Sequence, residues 1–504
     1  MSMHASTDIA ASDSTTPATA DTVRFVLDGR VVELADVPPT LTVLEYLREH
    51  LGRCGTKEGC AEGDCGACTV VLGELQGGDR VRYRAINSCI RFLPTIDGKE
   101  LVTVESLADA DGSLHPVQQA MVDQHASQCG FCTPGFVMSL FALYLEEGAP
   151  RRTDVVEALA GNLCRCTGYR PIIDAGCTMG TYPDPSRWSR ADAACVERVD
   201  LLRSIQREHA LRLPDFVAPR NFDELADAFA AAPQSLLLAG GTDIGLWTTK
   251  HLRDLPAMIY LGEVAELQRV QADGGRLRIG AAVSLTDAWR AIVAEHPELA
   301  EVAQRFGSPP VRNSGTLCGN IANGSPIGDA MPALIALNAH VELRGADRSR
   351  TMALEDFYLG YQRKALEAGE FVAAVGLPPR DPGLSLASYK WSKRIDQDIS
   401  AVCAAFALRV EGGLVASARI AFGGMAAMPA RARQTEAALV GHPWAATTID
   451  AAVSALAQDF TPISDMRASA EYRLQAAGNL LQRFYLERSE QPPLVRTHQA
   501  QASA

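Results

Sequence analysis

Residues 59–69 read G-C-A-E-G-D-C-G-A-C-T and set Cys60, Cys65 and Cys68 at the spacing C-x4-C-x2-C, with Cys89 following. That is the plant-type spacing for a 2Fe–2S cluster. The chemistry accounts for the composition. Four thiolates must converge on two irons from a short loop. Gly59, Gly63 and Gly66 can take positive φ and let the backbone wrap closely, which turns amide N–H groups toward a negatively charged cluster. A chain organised around such a loop carries single electrons.

The flanking sequence predicts the fold that holds the loop. Residues 23–27 and 31–34 alternate around Asp28-Gly29, a hairpin signal. A helix is expected over about 42–51, capped by Thr40 or Thr42, with strands at 68–72 and 83–86. These elements make a β-grasp, ferredoxin-like 2Fe–2S domain over 22–103.

From residue 104 the periodicity turns helical. Residues 116–126, 134–145 and 154–160 carry apolar side chains three and four apart, and Pro116 and Pro134 suit first-turn positions. A helical domain is expected over 104–180. It holds Cys129 and Cys132 as C-x2-C at the start of a predicted helix, and Cys164 and Cys166 as C-x-C in a turn. Helix N-termini favour thiolate, and four such ligands suit a second 2Fe–2S cluster. Structural zinc is the alternative, because C-x2-C is also its half-site, although C-x-C is a less usual second half. Of the other cysteines, Cys318 and Cys403 lie in apolar stretches and read as core, and Cys54 reads as a spare thiol.

Residues 181–213, with Pro183, Pro185 and mixed charges, read as a linker bearing a helix-like piece at 196–209. Over 214–383 helices and short strands alternate. A helix at 221–231 is capped by Asn221 with Glu224 three residues on, a strand follows at 235–239, and a helix at 284–295 starts on Ser284 and Asp287. Glycine loops lie at Gly240-Gly241 and from Gly315 to Gly328. Neither is the G-x-G-x-x-G fingerprint. A double glycine is often a plain turn, yet each loop offers backbone N–H groups to a pyrophosphate. Beside iron–sulfur motifs they suggest FAD, which links two-electron to one-electron traffic. The part from 384 to 490 shows strands at 401–410 and 415–422, then helices at 430–440, 448–457 and 464–487: a sheet with helices on one face. The whole reads as a multidomain α+β chain.

Composition bounds the function. The 504 residues are 47% apolar and allow three or four domains. With 47 Lys and Arg against 60 Asp and Glu, the net charge is −13, which argues against nucleic acid or an anionic membrane as partner. No apolar run has the length of a membrane span. Residues 1–21 lack Lys and Arg and read as a disordered tail, not a secretory signal; residues 491–504 read as a second tail. Thirteen cysteines without a signal point to metal ligation and a cytoplasmic location.

The motifs G-C-A-E-G-D-C-G-A-C, Q-C-G-F-C-T-P-G, N-L-C-R-C-T-G-Y, L-A-G-G-T-D and G-N-I-A-N-G-S-P-I-G-D occur in that order. Together they make the chain resemble the small, iron–sulfur and FAD-bearing subunits of bacterial xanthine dehydrogenases, in the molybdenum hydroxylase family, over about 22–487. The fusion of two iron–sulfur domains ahead of a flavin domain favours that branch; relatives such as carbon monoxide dehydrogenases usually keep them as separate chains. The resemblance implies that Cys60, Cys65, Cys68 and Cys89 hold the cluster nearer the flavin. Cys129, Cys132, Cys164 and Cys166 would hold the cluster nearer molybdenum, with Gln128 facing the pterin. It assigns FAD to Leu237, Leu238, Ala239, Gly240, Gly241, Thr242, Asp243 and Ile244, then to Phe306, Thr316, Leu317, Cys318, Gly319, Asn320 and Asp329, and to Val372 and Lys390. Phe306 would lie beside the flavin ring. Without the family, Phe306 and Lys390 read as core packing and a solvated charge.

The loop 391–398 matches a segment governing access of NAD. No molybdenum-binding domain follows residue 504, so the resemblance implies a large molybdenum subunit as partner, commonly two small with two large chains. Purine hydroxylation, hypoxanthine to xanthine to urate, would belong to that partner, and no catalytic residue for it is expected here. Two alternatives stand: the equivalent subunit of an aldehyde or N-heterocycle dehydrogenase, and a non-catalytic iron–sulfur sensor or scaffold, which would need no FAD.

Overall fold

Asp28 and Gly29 take φ of 53° and 75°, the paired positive values of a tight primed turn, and fold the strand Val23–Leu27 back on Arg30–Leu34. The computed structural model describes residues 21–109, 111–189, 195–345 and 348–488; but for Asp21, the tails expected at 1–21 and 491–504 lie outside them. The first sheet has the order Arg30–Leu34, Val23–Leu27, Glu100–Val102, Thr69–Gln76, Arg80–Asn87, with the second and third strands parallel. Thr42 caps the helical turn that follows, its Oγ1 accepting from the Glu45 N–H at 3.1 Å. The register of Thr69 opposite Asn87 carries Cys68 to the side of Ser88 and Cys89.

The helical part comprises Pro116–Asp123, Thr133–Glu146, Arg152–Leu159 and Arg170–Thr178. The last of these was not expected; it is a short helix with Pro171 in its first turn. Residues 181–213, expected as a linker, are closely packed where they are described. Trp188 is buried, with Nε1 donating to the Ser106 carbonyl at 2.8 Å. The helix Val196–Ser204 lays Val199, Leu202 and then Ile205 on Val26 and Val81. The helix-like piece expected at 196–209 is thus a helix over its first part, seated on a neighbour by three apolar residues at helical spacing.

Beyond it, Phe216–Ala218, Met258–Tyr260 and Leu236–Leu238 run parallel, with Leu211–Leu213 on the edge. A five-stranded antiparallel sheet follows, and then a four-stranded one, Ser385–Trp391, Val402–Glu411, Leu414–Gly423, Ala430–Arg431. The helices Arg433–Leu439, Ala446–Asp459 and Ala470–Leu486 cover one face of that last sheet, where Phe406, Phe422 and Phe484 are buried. Each such ring contributes roughly 1.5–3 kcal/mol. The other face is also buried: Ala405, Ala407 and Ala421 join the core that holds the helix Ala330–Ala336. The last helix starts later than expected. Asp465 accepts from the amides of Arg467 and Ala468 and holds a separate turn, and Ser469 is the cap.

Candidate cofactor sites

The first site is made by the loop before Thr69–Gln76 and the turn after Arg80–Asn87. Amides of Glu62, Asp64 and Cys65 donate to the Cys60 sulfur at 3.5, 3.4 and 3.3 Å. Gly63 and Gly66 supply the positive φ this wrapping needs. The Cys65 thiol and those amides hold Cys60 down to about 5, so a thiolate is ready at neutral pH. The sulfurs of Cys68 and Cys89 lie 3.2 Å apart, and the bond from Cys89 lowers the Cys68 thiol while raising its own.

The second site lies at the head of Thr133–Glu146. Cys132 precedes that helix, and Cys164 and Cys166 sit in the turn between Arg152–Leu159 and Arg170–Thr178. The thiols of Cys129 and Cys166 neighbour each other, as do those of Cys132 and Cys164, and all four are free. Burial and Cys164 push Cys132 up to about 12; against burial, Thr167 and nearby amides bring Cys164 below its ordinary value. The Cys164 amide donates to the Tyr169 hydroxyl at 2.9 Å. Cys129 and Cys166 are exposed.

The donor sets suit two-iron clusters. Cys68 and Cys89 form one close pair of sulfurs, and a 2Fe–2S cluster gives each iron two thiolates.

The two sites adjoin without room for a side chain. A Cβ on Gly135 would come within 2.1 Å of the Gly66 carbonyl, and one on Gly66 within 2.2 Å of the Gly161 carbonyl. The Leu163 amide donates to the Cys65 carbonyl at 3.0 Å, and Asn162 Nδ2 to the Gly66 carbonyl at 3.1 Å. One hydrogen bond therefore joins the backbone of Cys65 to that preceding Cys164. Asn162 escaped the sequence reading although it opens the motif N-L-C-R-C.

The third site lies at the carboxyl end of the parallel strand Leu236–Leu238, the usual place for a ligand in such sheets. Ala239, Gly240, Gly241, Thr242 and Asp243 turn the chain there into the helix Ile244–Thr249. The second glycine loop meets the first. A Cβ on Gly240 would lie 2.2 Å from the Ser314 carbonyl, and one on Gly319 would lie 4.0 Å from Ala239 Cβ. Thr316 Oγ1 caps the helix Leu317–Asn323 by accepting from the Gly319 N–H at 3.0 Å. Asn320 Oδ1 is buried without a partner among the described residues, an acceptor awaiting a donor. Such a narrow cradle, where two glycine loops meet, fits a dinucleotide.

Other expected residues lie deeper. Leu238, Leu317, Cys318, Phe306 and Val372 are buried in cores beneath the loops, Phe306 against Trp289 at 5.7 Å. Lys390 is not a solvated charge: its Nζ meets Asp329 at 2.9 Å and donates to the Arg305 carbonyl at 3.0 Å. Ser400 Oγ donates to the other Asp329 oxygen at 2.5 Å.

Contacts absent from the sequence reading join the third site to the first. The helix Ile244–Thr249 places Gly245 so close to the Cys89 turn that a Cβ would lie 2.6 Å from the Ile90 carbonyl. Thr249 Oγ1 donates to the Ala61 carbonyl at 2.7 Å, and Lys250 Nζ to the Cys60 carbonyl at 3.1 Å. The loop 391–398 is held by Arg305, which donates to the Lys390 carbonyl at 3.0 Å and to Ser392 Oγ at 3.1 Å. Gln397 Nε2 donates to the Asp64 carbonyl at 2.6 Å. No local signal marks these contacts, because their partners lie far apart in sequence.

Four family models match in series: a 2Fe-2S iron-sulfur cluster binding domain over 25–91, a [2Fe-2S] binding domain over 103–177, the FAD binding domain in molybdopterin dehydrogenase over 209–380, and the CO dehydrogenase flavoprotein C-terminal domain over 387–488. The chain is similar to xanthine dehydrogenase from Emericella nidulans, at 33% identity over 92% of this chain and 38% of that one. It is likewise similar to xanthine dehydrogenase from Drosophila subobscura, at 33% over 83% and 35%. The chain thus spans little more than a third of the length of these relatives. Among solved structures, carbon monoxide dehydrogenase from Hydrogenophaga pseudoflava lacking the Mo-pyranopterin moiety matches at 31% identity with a TM-score of 0.50, over 53% of this chain and 94% of that one. Among the described residues no helix is long and apolar enough to cross a membrane.

Proposed function

Because the chain belongs to the molybdenum hydroxylase family as a 2Fe–2S and FAD-binding oxidoreductase module, we propose that it is the electron-transfer subunit of a xanthine dehydrogenase. In this reading it drains electrons from the hydroxylation of hypoxanthine to xanthine and urate, at a molybdenum centre on a partner polypeptide, and delivers them to NAD⁺. When bound, the clusters supply one-electron passage and the flavin supplies hydride transfer.

The chain's residues divide the work. Cys129, Cys132, Cys164 and Cys166 hold the cluster that faces the partner; the exposure of Cys129 and Cys166 supports that side as the entrance. Cys60, Cys65, Cys68 and Cys89 hold the inner cluster. The segments at 237–244 and 316–320, with Phe306, Asp329, Val372 and Lys390, hold FAD. The loop 391–398 borders the NAD side, and two such chains pair with two molybdenum subunits.

The observation that carries this reading is the continuity of the three sites. Leu163 links the second site to Cys65, and the helix Ile244–Thr249 with Lys250 links the first to the flavin loops. Co-expression with a molybdenum-bearing partner tests it. The expected product is a complex with two 2Fe–2S clusters and one FAD per chain that reduces NAD⁺ with xanthine. A loaded complex that ignores xanthine but oxidises an aldehyde or N-heterocycle would move the chain to another branch, and zinc in place of iron at the second site would break the proposed path.

A further inference from the structure

The turn that carries Phe306 is tied down by one arginine. Arg312, on the helix Pro309–Ser314, is only 7% exposed. Its Nη1 donates to the carbonyls of Gln304, Phe306 and Gly307 at 2.9, 3.3 and 3.0 Å. These carbonyls lie at and just past the end of the helix Ala300–Gln304, where backbone donors run out. A cationic side chain is a natural partner for them. Trp289 supports the Phe306 ring at 5.7 Å, and Arg312 fixes the backbone from which that ring extends.

The same guanidinium reaches out of the flavin-binding part. Its Nη2 lies 3.4 Å from Glu157 Oε1, on the helix Arg152–Leu159 that leads toward Cys164. Gln304 Nε2 donates to the other Glu157 oxygen, also at 3.4 Å. Close by, a Cβ on Gly161 would fall 2.5 Å from Ser308 Cβ. The turn 304–308 therefore bears on the domain that carries the second cysteine site. On its other flank Arg305 holds the Lys390 carbonyl and Ser392, and Lys390 Nζ donates back to the Arg305 carbonyl. Burial brings Arg312 below its ordinary value, against the pull of Glu157 and of Asp396 in the loop 391–398. A planar guanidinium can serve several carbonyls and a carboxylate together, which a lysine ammonium does poorly.

We propose that Arg312 is a positioning residue for the flavin. It fixes the turn 304–308, and with it the Phe306 ring, and it sets that turn against the helix bearing Glu157. The inference rests on the reading of Phe306 as a neighbour of FAD and extends it to a residue that touches no cofactor itself.

The test uses the full chain loaded with FAD and needs no molybdenum partner. Arg312→Met is compared with the parent at saturating FAD by visible circular dichroism of the bound flavin, by flavin midpoint potential and by rapid mixing with NADH. FAD content near that of the parent is expected, with altered flavin dichroism, a shifted potential and flavin reduction slowed several-fold. Arg312→Lys, which keeps the charge without the fork, should recover part of each change. Should Arg312→Met not fold, Arg312→Lys decides alone, with smaller shifts of the same kind expected. A folded variant whose flavin dichroism and potential match those of the parent, with only its melting temperature lowered, overturns the proposal and leaves Arg312 a structural residue. A parent chain that takes up no FAD overturns the flavin reading itself, so the two failures are told apart.

Discussion

The Asp329 carboxylate meets the Lys390 ammonium at 2.9 Å where the side chains are only 9% and 4% exposed. The pair ties the second flavin loop to the strand Ser385–Trp391 and, through Lys390, to the backbone of Arg305 next to Phe306. Removing one member of a buried pair strands the other, at a cost of about 3–5 kcal/mol. Asp329→Ala is expected to lower the melting temperature and the FAD content while iron and sulfide per chain stay at the parent level. Normal FAD content and NADH–dye activity in that variant would remove the carboxylate from the flavin site.

The separation of the two cysteine sites allows the electron path to be cut on one side only. On the proposed ligand assignment, Cys166→Ser takes a thiolate from an iron, and a hydroxyl is a poorer ligand for a soft sulfide cluster. Turnover from xanthine to NAD⁺ is expected to collapse in the assembled enzyme, while NADH-to-dye turnover stays near that of the parent. Full xanthine activity in an assembled variant would show that electrons do not pass this way.

Glycine at the two junctions gives a paired prediction. Gly135→Ala sets a methyl against the Gly66 carbonyl and should destabilise the protein by roughly 1–3 kcal/mol. It should also weaken the magnetic interaction between the clusters in EPR. Gly245→Ala presses instead on the Ile90 carbonyl. Rapid mixing with NADH should then show flavin reduction at the parent rate and cluster reduction slowed several-fold. Unchanged cluster reduction would mean that this helix does not set the gap.

A pH dependence follows from His115, which caps Pro116–Asp123 and is 1% exposed. Its Nδ1 accepts from the Val117 amide, so the neutral ring carries its proton on Nε2, which faces the Trp188 carbonyl at 3.4 Å. Burial lowers the imidazole from 6.5 to about 4. A histidine lowered in the folded state leaves stability intact above pH 6.5 and withdraws it as pH falls toward 4, by on the order of 3 kcal/mol. Denaturant unfolding followed over that range should show the loss, and His115→Asn, which keeps a capping acceptor, should flatten it. An unaltered slope in His115→Asn would assign the acid sensitivity to other groups.

Local signals made much of this chain legible. The hairpin at Asp28-Gly29, the caps Thr42, Asn221 and Ser284, and the cysteine spacings each depend on neighbours within a few residues. What escaped depends on distant partners. Lys390 reads as a surface charge until Asp329 is brought to it across the sheet, and the helix at Val196–Ser204 is legible as a helix while its seat on Val26 and Val81 is not. The contacts of Asn162 and Lys250 likewise join residues 96 and 190 positions apart, beyond the reach of periodicity or spacing.

The packed stretch between the helical part and Leu211–Leu213 has a consequence for how this machine is held together. Its helix is fastened to the first sheet, and its last strand is stitched into the flavin-side sheet. It therefore works as a short leash whose two ends are nailed down. A leash keeps its ends at a high effective concentration, and here it works beside an apolar core that Phe25, Val70 and Phe92 of the first sheet share with Leu211, Phe216 and Tyr260 of the flavin side. Cutting the leash alone should therefore leave the two parts associated, and electron delivery to the flavin should stay independent of protein concentration.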